Sequence, residues 1–144
     1  MWRLALTCRM GDAFMSKAKI LDYYQTIISR LAGNSSSVKG WAVSVGMALI
    51  GFGAKDGPRS LAYLALVPLL IFWLLDAYYL AAERVFRHEF NRIAATDGDV
   101  PMSIGGYAVT SMDILRAMFA RVSYLIYLSL GAVALVIGSG LIVL

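Results

Sequence analysis

From Val122 to Leu144 the chain runs for 23 residues without Asp, Glu, Lys, Arg or His. At ~1.5 Å of rise per residue, a helix of that length reaches ~34 Å and crosses the ~30 Å hydrocarbon core of a bilayer. A stretch of this kind is difficult to place in a water-soluble fold and predicts a membrane protein. It fixes the solvent around the chain without naming an activity.

Composition agrees with that reading. The 144 residues are 60% hydrophobic, and the mean hydropathy of +0.71 exceeds that of an ordinary soluble domain. The net charge of +4 is modest, so no nucleic-acid surface is expected. Cys8 is the only cysteine, which excludes an intrachain disulfide, a cysteine metal site and a redox pair. The apolar run before Cys8 is too short for the core of a signal peptide. Residues 1–15 lack periodicity and read as a disordered N-terminal extension, with Met15 as an alternative start. Residues 16–144 then form a single domain.

The expected fold class is all-α: an integral membrane helical protein built from a transmembrane hairpin and a third, C-terminal span. Ile20, Leu21, Tyr24, Ile27, Ile28 and Leu31 recur at helical spacing, giving an amphipathic N-terminal helix over 16–32. The Gly33-Asn34-Ser35-Ser36-Ser37 tract is expected to stop it and to cap the next helix. Spans are predicted at about 38–55, 60–82 and 122–144, from the uncharged runs Gly40–Ala54 and Ser60–Leu75 and the C-terminal stretch. The first two are short, so a re-entrant pair that never crosses is the alternative to a full hairpin.

Asp56-Gly57-Pro58 makes the turn between them. Pro68 removes a backbone hydrogen bond from the second span and is expected to bend it. Val85, Phe86, Phe90 and Ile93 make an apolar stripe that carries this helix onward into water as a cytosolic extension. Residues 96–101 read as a loop and Ile104-Gly105-Gly106-Tyr107 as an elbow. A helix capped by Thr110 or Ser111 then carries Met112, Leu115, Met118 and Phe119 through Arg121 into the last span.

Lys and Arg cluster before the first span and before the last, whereas the hairpin turn carries only Lys55 and Arg59. The positive-inside rule therefore places the N-terminus in the cytosol and the C-terminus outside. Lys39, Trp41, Trp73, Tyr78 and Tyr79 are expected as interface anchors. Ser44 and Ala48 in the first span, and Ala134 and Gly138 in the last, have the four-residue spacing that lets helices approach closely in lipid.

Asp76 is the first candidate functional residue, since a carboxylate at the hydrocarbon boundary is costly unless hydrated, paired or protonated. It reads either as a boundary residue bonded to a cap or to Lys39, or as a gate or assembly contact with Glu83, Arg84 and Arg87. Glu83, Arg84, Arg87, His88 and Arg92 together also suit an anion or lipid headgroup, although such a series is more often a solvated helix face. With His88 the only histidine, and no phosphate loop, dinucleotide fingerprint or nucleophile elbow, no catalytic, cofactor or metal residue is assigned. The acidic pair around Gly98 lacks calcium-loop spacing. The chain is not expected to be an enzyme.

Two segments, NSSSVKGWAV from Asn34 and FWLLDAYYLAAERVFR from Phe72, resemble a group of short bacterial membrane proteins, over roughly Ile20 to Arg92. Where those proteins carry a bulky apolar residue after Asn-Ser, this chain has Ser36. The resemblance implies a bacterial inner-membrane hairpin with a cytosolic helical extension and transfers no catalytic residue. The layout is also similar to small two-span effectors that accompany bacterial antiviral signalling systems. The expectation is a self-associating, non-enzymatic membrane protein that forms a pore or perturbs the bilayer. The alternative is an anchor for a soluble cytosolic partner.

Overall fold

The computed structural model describes residues 17–55, 58, 60–96 and 108–140. The N-terminal extension, the loop at 97–101, the glycine elbow, most of the Asp56-Gly57-Pro58 turn and residues 141–144 lie outside them. Within the described residues every element is helical: α1 (Lys17–Lys55), α2 (Ser60–Leu64), α3 (Leu66–Ala95), α4 (Ser111–Met118) and α5 (Arg121–Ser139). Three stretches, Lys17–Lys55, Ser60–Ala95 and Arg121–Ser139, are long and apolar enough to cross a membrane.

The first correction concerns α1. One helix of 39 residues replaces the expected pair, because the polar tract does not stop it. Glycine and serine cost a helix interior only ~0.5–1 kcal/mol each, and packing along a neighbour outweighs that. The buried residues Ile20, Tyr24, Ile28, Ser35, Val38, Ala42, Gly46, Ile50 and Gly53 form one unbroken stripe across the tract. The serine hydroxyls are also occupied without breaking the backbone. Ser37 Oγ turns back to donate to the Gly33 carbonyl at 3.0 Å, and Ser35 Oγ leaves the helix altogether, as described below.

Pro68 does disturb the second arm, as expected, at the turn that precedes it. The α-helical pattern of the second arm lapses at Ala65, one turn ahead of the proline, since Pro68 has no N–H to offer Leu64. Ala65 keeps right-handed helical dihedrals, and long bonds, Ala65 N to Leu61 O at 3.3 Å and Leu69 N to Ala65 O at 3.2 Å, carry the helix through.

α1 and the α2–α3 arm pack antiparallel along their whole length. Ile20 and Tyr24 meet Ile93 at one end, Ala42 meets Leu69 in the middle, and Ile50 meets Ala65 near the turn. α5 lies against the turn-proximal half only, with Tyr127 and Leu130 beside Leu69 and Ala134 beside Ala65. Its C-cap is Gly140, left-handed at φ 71°, and the expected continuation to 144 lies outside the described residues. By helix rise, the α1–α3 hairpin extends about 28 Å beyond the start of α5.

At the α4–α5 joint the chain does not continue as one helix. Ala120 is extended between Met118 and Arg121. α4 folds back on α3, where Ala117 packs on Ala77 and Ala81. Thr110 supplies its N-cap through a capping box with Asp113.

Of the small residues expected to pack, Ala134 is fully buried, and a Cβ on Gly138 comes to 2.7 Å from the Tyr63 ring. Ser44 and Ala48 instead face outward. The seam of α1 lies two positions away, at Ala42, Gly46, Ile50 and Gly53. In the most apolar window of each long helix only 22–28% of residues are buried, which leaves a wide apolar surface facing outward.

Candidate functional site

Asp76 is fully buried, and α1 brings its partners to it. Lys39 Nζ donates to Asp76 Oδ1 at 2.6 Å, Ser35 Oγ donates to the same oxygen at 2.5 Å, and Lys39 Nζ also donates to Ser35 Oγ at 2.7 Å. The three form a closed triangle joining α1 to α3. Its geometry depends on the continuity of α1, which puts Ser35 and Lys39 one turn apart on the same face. The second carboxylate oxygen, Oδ2, is buried and has no hydrogen-bond partner among the described residues. Chemically the arrangement is a charge pair with one unused acceptor, held between two helices.

Lys39 therefore turns inward as the counter-ion of Asp76, with 20% of its side chain exposed, and does not reach outward as an interface anchor. Trp73 also departs from its expected role. Its indole stacks on Tyr127 with ring centroids 6.1 Å apart, meets Phe119 edge-on at 6.4 Å, and donates from Nε1 to the Met118 carbonyl at 3.2 Å. It pins the α4–α5 joint to α3. Tyr127 adds a hydroxyl bond to the Phe72 carbonyl at 3.3 Å. Trp41, 64% exposed, and Tyr78, 48% exposed, do face outward, and Tyr78 contacts Tyr79 edge-on at 5.9 Å.

Beyond Asp76 the hairpin carries most of its charges. Arg87 Nη2 donates to Glu83 Oε1 at 2.6 Å, the i,i+4 pair that the spacing suggests. Arg92 grips Glu89 through Nε, at 2.9 Å to both carboxylate oxygens, and through Nη2. At the far end Lys17 Nζ caps the C-terminus of α3, donating to the carbonyls of Ala94 at 2.9 Å and Thr96 at 2.7 Å. Glu83, Arg84, Arg87, His88 and Arg92 thus do not converge as one site. Arg84 and His88 instead line a groove of about 600 Å³ together with Glu89 and, from α4, Asp113 and Arg116.

Three participants escape a reading of the sequence alone. Ser35 falls in the tract expected to stop one helix and cap the next, although it stands four residues before Lys39 and in register with Val38 and Ala42. Arg116 and Asp113 join the groove only because the chain is extended at Ala120 and α4 folds back on α3, a break not anticipated from the sequence. Among the described residues no three His, Cys, Asp or Glu side chains gather at metal-binding distance.

No protein-family model matches the chain, and comparisons with curated proteins and with solved structures give no match.

Proposed function

We propose that the protein is a non-enzymatic, multi-pass protein of the bacterial inner membrane, N-terminus in the cytosol, that self-associates and permeabilises or perturbs the bilayer. In this reading the long end of the hairpin receives a cytosolic signal, consistent with a role in antiviral defence, and the triangle at Asp76 couples it to the spans. The observation that carries the reading is the outward side of α1. Gly40, Ser44, Ala48 and Gly51 are all exposed at three- to four-residue intervals, the spacing through which helices approach closely in lipid.

One subunit with three spans has little room for a water path, so a conducting state requires several copies. The test is mass in detergent together with dye release from liposomes. Wild-type protein is expected to be oligomeric and to release dye, and Ser44→Leu with Ala48→Leu to be monomeric and silent. A monomeric wild type that never releases dye overturns the proposal.

A second reading is favoured by the charged end of the hairpin: an anchor that recruits a soluble cytosolic protein. Pull-down with wild type and with an Arg87→Glu, Arg92→Glu variant separates the two. An anchor loses its partner in the variant and never releases dye.

A further inference from the structure

We infer that the groove between α3 and α4 is a binding site for the phosphodiester of a phospholipid headgroup, held by Arg84 and Arg116 with His88 at its edge. Arg84 and His88 come from α3 and Arg116 from α4, and all three line the same space of about 600 Å³. Among the described residues neither Arg84 nor Arg116 lies within ion-pair distance of a carboxylate, unlike Arg87 and Arg92. The two guanidinium groups border one concavity and outnumber the one lining carboxylate, Asp113, that is not already paired with an arginine. Their planar forks match phosphate oxygens bidentately.

Depth is the second observation. α4 presents three sides. Ile114, Ala117 and Met118 pack on α3, Asp113 and Arg116 border the groove, and Met112, Leu115 and Phe119 are 53%, 49% and 62% exposed. An exposed apolar side next to a polar edge is the profile of a helix lying in the membrane surface, with its apolar side among the acyl chains and its polar edge at the headgroups. Tyr78 and Tyr79 mark the same level on α3. Arg84 follows Tyr79 by five residues, about 7.5 Å of helix rise, which places it in the headgroup layer.

Charge then selects the ligand. Arg92 already neutralises Glu89, and Asp113, which accepts the Thr110 N–H at 3.2 Å, offsets one of the two free arginines. Over the described lining residues the groove therefore balances one negative charge. A phosphodiester carries one, whereas a phosphomonoester carries about 1.5 to 2 near neutral pH. The site favours a lipid headgroup over free phosphate. The inference requires only that the chain sits in a bilayer and is independent of whether the protein forms a pore.

The test is native mass spectrometry of the full chain, purified in mild detergent with a mixture of phosphatidylglycerol, phosphatidylethanolamine and phosphatidylcholine. Wild type is expected to retain one phospholipid per chain. Arg84→Gln with Arg116→Gln lowers retention about tenfold, equivalent to ~1.4 kcal/mol, whereas Arg30→Gln, on an exposed face of α1, leaves it unchanged. Arg116→Gln alone carries the same test if the double variant does not fold. Millimolar inorganic phosphate is expected not to displace the lipid. Equal retention in wild type and the arginine variants, or displacement by phosphate, overturns the inference.

Discussion

Replacing Lys39 with methionine tests whether the Asp76 triangle holds the hairpin together. The substitution keeps an unbranched side chain, one heavy atom shorter, and removes the charge that sits 2.6 Å from a carboxylate with no exposed surface. At an effective dielectric constant of ~20, two unit charges at that separation attract by about 6 kcal/mol before desolvation is counted. Desolvation cancels part of this, and the partial exposure of Lys39 reduces it further. Breaking one side of such a pair nevertheless costs ~3–5 kcal/mol, because the remaining charge stays buried. Ser35 then holds one carboxylate oxygen alone, and the other has no partner already.

Asp76→Asn is expected to cost less, about 1–3 kcal/mol, since its carbonyl still accepts from Ser35 and Lys39 while its amide occupies the position without a partner. Lys39→Met combined with Asp76→Leu removes both charges and is expected to return close to wild type. Reversible unfolding of wild type, Lys39→Met, Asp76→Leu and the double variant in mixed micelles, followed by tryptophan emission, gives the four corners of a double-mutant cycle. A Lys39→Met variant within about 0.5 kcal/mol of wild type, or a double variant no better than the single one, refutes the reasoning.

Gly53→Ala places a Cβ 2.9 Å from the Ala62 backbone nitrogen, which cannot swing aside, and should cost ~1–3 kcal/mol. Gly51→Ala meets nothing within 4 Å and should be neutral or gain up to ~1 kcal/mol in the same unfolding assay. Lys17→Met removes the cap on the α3 C-terminus and should speed amide exchange over Arg92–Thr96 about fivefold, a loss of ~1 kcal/mol, with exchange around Leu69 unchanged. In a Cys8→Ser background, a cysteine at Ser29 and one at Ser60 should react with impermeant maleimide from opposite faces of sealed vesicles. Labelling of both from one face removes the full hairpin and leaves the re-entrant alternative.

The sequence made the three apolar stretches legible because an uncharged run needs no knowledge of its neighbours. It also showed the extension beyond Asp76, through the Val85, Phe86, Phe90 and Ile93 stripe. The polar tract at Gly33–Ser37 misled because glycine and serine signal a break only when nothing packs on them. The buried stripe that crosses it includes Ser35, Gly46 and Gly53, which a search for large apolar residues passes over. The same bias set the packing register of α1 at Ser44 and Ala48 instead of Ala42 and Gly46, since small residues occur on both sides of that helix. Asp76 was visible as an anomaly, and Lys39 among its two expected partners. Ser35 and the inward turn of Trp73 required the tertiary fold.

The α1–α3 seam is packed differently toward its two ends, although Ala82 is buried on the long side and Ile50 and Leu69 on the turn side. On the long end, Tyr24 faces Phe86 at 6.0 Å, and Ile20 and Ile93 pack with Leu21 and Phe90. Large apolar groups are what water drives together, at roughly 25 cal/mol for each Å² buried. On the turn side, Ala42, Ala62 and Ala65 are fully buried, and Gly53 opposes the Ala62 backbone. Close backbone approach of this kind is how helices associate in lipid, where water supplies no such drive. Ser35, Lys39 and Asp76 lie between the two ends, where a buried charge pair joins the helices. Close approach also consumes the small residues of one side of α1. The outward side of α1, Gly40, Ser44, Ala48 and Gly51, stays available for the proposed self-association, so substitutions at Ser44 and Ala48 test it at positions outside the folding seam.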